Sequence, residues 1–284
     1  MGPFERLGRR AFIARVGTGM LGIAVVGVAS ACGDGGAETT TPRRPTPAAP
    51  RPTGATTTTS AATTTATPGT TTAGPTTTSP SVGTGITVER VNLGFVSAYV
   101  LVDGTEAAIV DTGVGGSEGA IEESLRAVGR RWSDVGHVIL THLHNDHIGS
   151  IGAVLAAATD ATGYAGAADI PSIPALRPLT AVATGDTVFG LGVISTPGHT
   201  PGHVSVYDPR SGVLVAGDAI NGAGSGLEAP GGVAGPNPGF TPDMDTATGS
   251  VAALAALDPT AIYFGHGEPL LTDAAAALRT LAGS

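Results

Sequence analysis

The chain contains no lysine; all fourteen of its basic residues are arginines. It has one cysteine, Cys32, so no disulfide can close within a single copy. Residues 33–82 are almost without large apolar side chains. Thr, Pro, Ala and Gly dominate there, in runs such as Thr56–Thr59 and Thr76–Thr78. A segment with so little to bury cannot offset its ordering entropy and is expected to stay disordered, a coil reaching on the order of 40 Å. Its Ser/Thr/Pro composition would permit O-glycosylation. Residues 83–284 are short of positive charge, with seven arginines against twenty acidic residues, a net of −13. A domain this acidic argues against nucleic acid as a partner, because phosphate binding needs a basic face.

What is present divides the 284 residues into three parts. Residues 1–31 read as an export signal. Arg6, Arg9, Arg10 and Arg15 form a basic stretch, and the apolar run from Val16 to Ala29 has the length of a signal-peptide core and is short for a membrane span. Ala29-Ser30-Ala31-Cys32 resembles a bacterial lipobox, with Ala29 where a larger aliphatic residue is commoner. Cleavage before Cys32 and lipidation of that cysteine would anchor the protein to the outer face of the cytoplasmic membrane or cell envelope. Gly8-Arg9-Arg10-Ala11-Phe12-Ile13 is similar to a twin-arginine signal, a route for proteins exported already folded. Residues 32–82 would then be a tether, and residues 83–284 a domain large enough for a sizeable core.

Within that domain the pattern predicts strands over 86–91, 95–102 and 106–110, the last two joined by the Asp103-Gly104 turn. Ser117–Val128 reads as a helix capped by Ser117 and stopped by Gly129. Residues 137–140 form a short buried strand, 149–158 an Ala-rich helix and 162–164 another strand. Strands follow at 187–189, 192–195, 204–207 and 213–216. Residues 221–242, rich in Gly and Pro, read as a long loop bordering the active site. A helix from Thr241-Pro242-Asp243 to Leu257, a strand at 261–264 and a helix over 271–281 complete the chain.

The chemistry concentrates in Thr141-His142-Leu143-His144-Asn145-Asp146-His147, directly after the apolar Val138-Ile139-Leu140. Side chains alternate along an extended segment, so His142 and His144 point the same way. Asp146 and His147 follow where the chain turns toward a helix and can face the same point from another side. Imidazoles and a carboxylate converging on one spot suit a borderline-soft divalent metal such as zinc. His199, Asp218 and His266 each follow an apolar β-rich segment and are flanked by glycine, so they can meet at one edge of a sheet. His203, Asp111, His137 and Trp132 read as supporting residues: His203 behind the ligands, Asp111 orienting one of them, His137 at the surface and Trp132 in packing. Nothing in the sequence places Tyr164 or Tyr207 at the site.

This set resembles the metallo-β-lactamase superfamily: His-x-His-x-Asp-His at His142, His144, Asp146 and His147, then His199, Asp218 and His266 in order, with Asp111-Thr112-Gly113 upstream. The resemblance covers residues 86–284. It implies an α/β fold, a four-layer αβ/βα sandwich, and a binuclear site with two Zn2+, iron or manganese being possible substitutes. One metal would sit on His142, His144 and His199, the other on Asp146, His147 and His266, with Asp218 bridging. It implies that a hydroxide shared by the metals attacks a carbonyl of a small-molecule substrate, Asp146 steering protons. A bridging aspartate resembles the glyoxalase II and lactonase group more than true zinc β-lactamases, which generally carry Cys or Ser there. The leading expectation is therefore a hydrolase of ester, thioester or lactone bonds. A zinc β-lactamase, a single-iron sulfur dioxygenase and a non-catalytic metal-binding lipoprotein remain the alternatives.

Overall fold

The computed structural model describes residues 85–283. The export signal, Cys32 and the Thr/Pro-rich linker fall outside the described residues.

The first sheet begins as an antiparallel meander of β1 (Thr87–Asn92), β2 (Ser97–Asp103) and β3 (Glu106–Val110), with Tyr99 opposite both Arg90 and Val110. It continues in parallel through β4 (Val135–Ile139), β5 (Thr162–Gly166) and β6 (Thr180–Val182). Helix α1 (Glu118–Ala127) makes the crossover from β3 to β4; α2 (Asn145–Ile148) and α3 (Ile151–Ala157) make that from β4 to β5. The second sheet runs β7 (Thr187–Val188), β8 (Leu191–Ser195), β9 (Val204–Asp208) and β10 (Val213–Gly217), all antiparallel neighbours. Two short paired strands follow, β11 (Asn221–Gly222) and β12 (Val233–Ala234). Helix α4 (Met244–Ala255) then carries the chain to β13 (Ala261–Phe264), parallel beside β10, and α5 (Ala274–Leu281) closes it.

The two-residue alternation of the strands explains the layering. Ala98 and Val100 face one way, into a core with Ile121 and Leu125 of α1 and Val154 and Leu155 of α3. Tyr99 and Leu101 face the other way and meet Val193, Val206 and Val215 of the second sheet. The outer face of that sheet, through Leu214, Ile262 and Phe264, packs on Val251 and Leu254 of α4 and Leu278 of α5. Helix, sheet, sheet, helix: this is the four-layer αβ/βα sandwich that the resemblance implies.

The elements depart from expectation where local contacts overrule pattern. The helix expected over 149–158 is found over Ile151–Ala157, and a separate helical turn, Asn145–Ile148, precedes it and holds Asp146 and His147. Ser117 stands at the start of α1 but its hydroxyl makes no capping bond; its N–H donates to Ser150 Oγ instead. Helix α4 is capped by the Asp243 side chain on the Thr246 N–H, so Pro242 lies before the cap rather than in the first turn. Helix α5 starts only at Ala274, because Leu270 pairs back onto Ile262 of β13 and Asp273 takes a left-handed conformation. The short strands β6, β11 and β12 had too little apolar alternation to read. No helix among the described residues is long and apolar enough to cross a membrane.

Candidate metal centre

Strand direction decides where the candidate ligands go. His142 and His144 follow the C-terminal end of β4, His199 that of β8, Asp218 that of β10 and His266 that of β13. β8 and β10 run the same way because each is antiparallel to β9, and β13 is parallel to β10. The ligand-bearing loops of the two sheets therefore open at one edge of the sandwich, and the seven side chains converge there.

His142 Nε2, His144 Nδ1 and His199 Nε2 form a triangle with sides of 3.0, 3.2 and 2.9 Å. Three ring nitrogens that close cannot all be satisfied by one another's protons, whereas a zinc ion needs its nitrogen ligands only about 2.0–2.1 Å away. The other nitrogens are held from behind. His142 Nδ1 lies 3.0 Å from the Thr141 hydroxyl, and His199 Nδ1 lies 3.1 Å from that of Thr241. Burial keeps His142 well below the ordinary histidine range and brings His199 to about 4, so both rings are neutral at pH 7 and present a lone pair.

Asp146, His147 and His266 form a second group. The Asp146 carboxylate lies 3.3 Å from His266 Nε2 and 3.8 Å from His147 Nε2. Here too the rear nitrogens are fixed: His147 Nδ1 donates to Asp111 Oδ2 at 2.8 Å and His266 Nδ1 donates to the Phe95 carbonyl at 2.6 Å. Asp218 stands between the groups. Its Oδ1 is 3.4 Å from His147 Nε2; its Oδ2 is 3.2 Å from His266 Nε2 and 3.4 Å from His199 Nε2. His147 Nε2 and Asp218 Oδ1 are buried and have no hydrogen-bond partner. An orphaned nitrogen facing an orphaned carboxylate oxygen in the interior is costly unless something charged joins them.

The electrostatics agree. Burial lowers the basicity of His147 and His266, but the neighbouring carboxylates outweigh it, raising them to about 8 and about 10. Burial in turn pushes Asp218 up, and the charges of His147, His266 and His199 more than reverse that, leaving it far below the usual carboxylate range. The carboxylates thus demand positive charge at the centre of the cluster, and divalent cations fit that demand and the donor set.

The supporting residues form a frame. Asp111, with φ of 61°, accepts from the Thr141 N–H at 2.7 Å and the Thr141 hydroxyl at 2.8 Å as well as from His147. His203 holds Asp218: its Nε2 accepts the Asp218 N–H at 3.0 Å while its Nδ1 sits 2.7 Å from Thr196 Oγ1. Gly265 is required by close approach, since a Cβ there would collide with Asp218 Oδ1 and His147 Cε1. His137, Tyr164 and Tyr207 lie elsewhere: His137 Nδ1 is 3.2 Å from the Tyr164 hydroxyl, and Tyr207 donates to the Leu257 carbonyl. Trp132 packs against the core under α1 and α3.

Sequence reading missed Asp169. This fully buried carboxylate accepts from the Leu143 N–H, the Thr200 hydroxyl and the Gly202 N–H at 3.0, 2.6 and 2.8 Å, tying the His142–His144 loop to the His199 loop. Its only signal was one acid in the apolar stretch Ala167-Ala168-Asp169-Ile170. Also missed were the residues of the cavity above the centre, about 460 Å³ in volume, among them Arg90, Phe95, Asn145 and Phe240.

The family model of the metallo-β-lactamase superfamily matches residues 91–266. The chain belongs to the metallo-β-lactamase superfamily. Among its relatives in that superfamily, the uncharacterized protein YobT of Bacillus subtilis is 29% identical over 198 residues, 61% of this chain and 83% of YobT. Hydroxyacylglutathione hydrolase of Rhizobium meliloti is 34% identical over 147 residues, 50% of this chain and 52% of its own, so the chain spans about half the length of that enzyme. A metallo-β-lactamase family protein of Thermus thermophilus has a similar structure, with a TM-score of 0.54 at 27% identity over 70% of this chain and 77% of that one.

Proposed function

We propose that this metal-dependent hydrolase is a dinuclear zinc enzyme that cleaves ester, thioester or lactone bonds. The observation that carries the reading is Asp218, whose carboxylate reaches both groups, Oδ2 toward His199 of the first and His266 of the second, Oδ1 toward His147 of the second. His142, His144 and His199 would hold one ion, Asp146, His147 and His266 the other, with Asp218 shared. Such ions, when bound, bring the pKa of water near 7 and polarise a carbonyl oxygen. The chain supplies the rest. Its buried ring nitrogens fix the site through Thr141, Thr241, Asp111 and the Phe95 carbonyl. Asp146 lines the cavity, and burial, which would raise it, is outweighed by His266 and His147, so its carboxylate stays anionic and suited to hold a cation. The similarity to hydroxyacylglutathione hydrolase supports thioester or related acyl chemistry.

The test is metal analysis joined to a panel of lactone, thioester, β-lactam and phosphodiester substrates. Two zinc ions per chain, loss of hydrolysis on chelation and its return with zinc are expected. Activity unchanged by chelation and by His142→Ala would overturn the reading. One iron per chain with oxygen uptake on a persulfide would replace it by the dioxygenase.

The protein's address is part of the proposal. The arginine-rich, apolar first 31 residues and Cys32 support export and lipid anchoring, with residues 33–82 as a tether. Cys32→Ala should release the protein from membranes; retention at the membrane would reject the anchor.

A further inference from the structure

The cavity over the centre has a charge and shape of its own. Five large apolar side chains are exposed among the described residues, and two of them, Phe95 and Phe240, line this one cavity, 64% and 68% exposed. Both stand on tight turns closed by an asparagine. Asn92 Oδ1 accepts the Gly94 N–H at 3.0 Å beside Phe95, and Asn237 Oδ1 accepts the Gly239 N–H at 2.9 Å beside Phe240. Phe95 is further steadied by stacking on His266, ring centroids 6.0 Å apart. The turns fix the backbone from which both rings project, and stacking holds the Phe95 ring, which lowers part of the ordering cost of binding.

Charge works in the opposite sense. Arg90 is the one arginine lining the cavity among the described residues. All three of its side-chain nitrogens are engaged: Nε with Ser97 Oγ at 2.9 Å, one terminal nitrogen with Glu268 at 2.6 Å, the other with the Gly267 carbonyl at 2.9 Å. Glu268 lines the same space, while Asp146 and Asp218 beside it would be taken up as ligands of the two ions. Residues 83–284, these side chains included, carry a net charge of −13 before any metal, which two divalent ions reduce without reversing and which repels anions at a distance.

We propose that the substrate is a neutral ester, thioester or lactone carrying an apolar chain or ring, held between Phe95 and Phe240, and that substrates bearing carboxylates are discriminated against. The inference rests on the hydrolase reading and narrows it. A carboxylate entering this cavity meets Glu268 already on Arg90; an apolar substituent meets two wet aromatic faces. Burying one such ring changes binding by roughly ten- to a hundredfold.

The test uses the full-length, zinc-loaded protein and matched thioesters of one acyl group, octanoyl, on an uncharged thiol, N-acetylcysteamine, and on glutathione, which carries two carboxylates. The neutral thioester is expected to show a kcat/KM at least tenfold higher. Octanoyl should exceed acetyl on the neutral thiol, and Phe240→Ala should shrink that chain-length ratio about tenfold, chiefly through KM. Glu268→Gln, which opens one side of Arg90, should raise kcat/KM on the glutathione thioester several-fold. Binding of the two non-hydrolysable thioether analogues, measured by calorimetry, gives the same ranking without turnover. Equal or tighter binding of the glutathione analogue, or a chain-length ratio untouched by Phe240→Ala, overturns the inference and leaves the hydrolase reading standing. Failure to hydrolyse either thioester or any lactone, with metal present, overturns the hydrolase reading instead.

Discussion

The two halves of the domain build the same centre in different ways. The first half delivers four candidate ligands from one six-residue run, His142 to His147, between the end of β4 and the single turn of α2. The second half delivers three candidates singly, His199, Asp218 and His266, each from its own loop and up to 67 residues apart. A run is positioned largely by its own backbone, with Asp111 and Asp169 tying it down at two points. Scattered ligands depend on outside anchors: Thr241 for His199, His203 for Asp218, the Phe95 carbonyl for His266. The difference teaches where the site is vulnerable. Direct loss of a shared ligand should matter most, then loss of an anchor common to several ligands, then loss of an anchor serving one.

Asp218 is the extreme case, because it faces ligands of both groups. Asp218→Ala should lower kcat by roughly a thousandfold or more and leave fewer than two metal ions per chain after dialysis. Two ions retained with activity within tenfold of wild type would show that the halves do not meet at this residue. Asp111→Asn comes next. An amide has one acceptor oxygen where the carboxylate takes three donors from Thr141 and His147, so it must leave one unpaired. Metal affinity or activity should fall by about 10–100-fold, the usual effect of losing a group that orients a metal-binding histidine. Unchanged metal retention at limiting zinc would mean that the run holds itself without Asp111.

Asp169 tests a strut that joins the His142–His144 loop to the His199 loop. Asp169→Ala strands the Leu143 N–H, the Thr200 hydroxyl and the Gly202 N–H in the interior, at about 1–3 kcal/mol for each left unpaired. Urea unfolding should show the loss in stability. Zinc retention by His142, His144 and His199 should weaken in the same variant, while Asp169→Asn, which keeps an acceptor, recovers part of both. A stability loss with no change in zinc retention would make Asp169 a fold residue only.

How much of this could be read from sequence follows from the same contrast. The cluster of candidate ligands was legible, because histidine and aspartate at fixed spacing after an apolar strand have few other uses, and Asp218 and His266 stand beside glycines that a crowded centre requires. Gly265 shows why: its missing Cβ is the space that Asp218 and His147 fill. The layered fold was legible only through the resemblance that the ligand motifs carry; the structure then shows the strand alternation behind it, as in Ala98, Tyr99, Val100 and Leu101 facing two cores in turn. The struts were not. Asp169 acts through three contacts to two distant loops and Thr241 through one, and no local pattern records a partner 31 or 42 residues away. The cavity rim was hidden for a related reason. Phe95 and Phe240 sit on turns, so neither strand nor helix periodicity says which way they face, and the loop over 221–242 conceals β11 and β12, too short to alternate.

The smallest expected effect belongs to His203, which touches only one of the scattered ligands. Burial, reinforced by the charges of neighbouring histidines, brings it to about 3, so it is neutral in the folded chain and uses its Nε2 to accept the Asp218 N–H. The unfolded chain has an ordinary histidine, near 6.5. Above that value neither state takes the proton and the contribution to stability is complete. As pH falls from 6.5 toward 3 the unfolded state binds a proton that the folded state refuses, so stability drains away at up to about 1.4 kcal/mol per pH unit. His203→Gln keeps a polar side chain but does not titrate. The stability gap between wild type and variant, from urea unfolding at pH 7.5, 6.0 and 5.0, should therefore be largest at 7.5 and narrow steadily toward 5.0. A gap that stayed constant over this range would mean that His203 takes up its proton in the folded chain. The Asp218 N–H would then lose its acceptor in acid, and the second half of the centre would be held less firmly than the first.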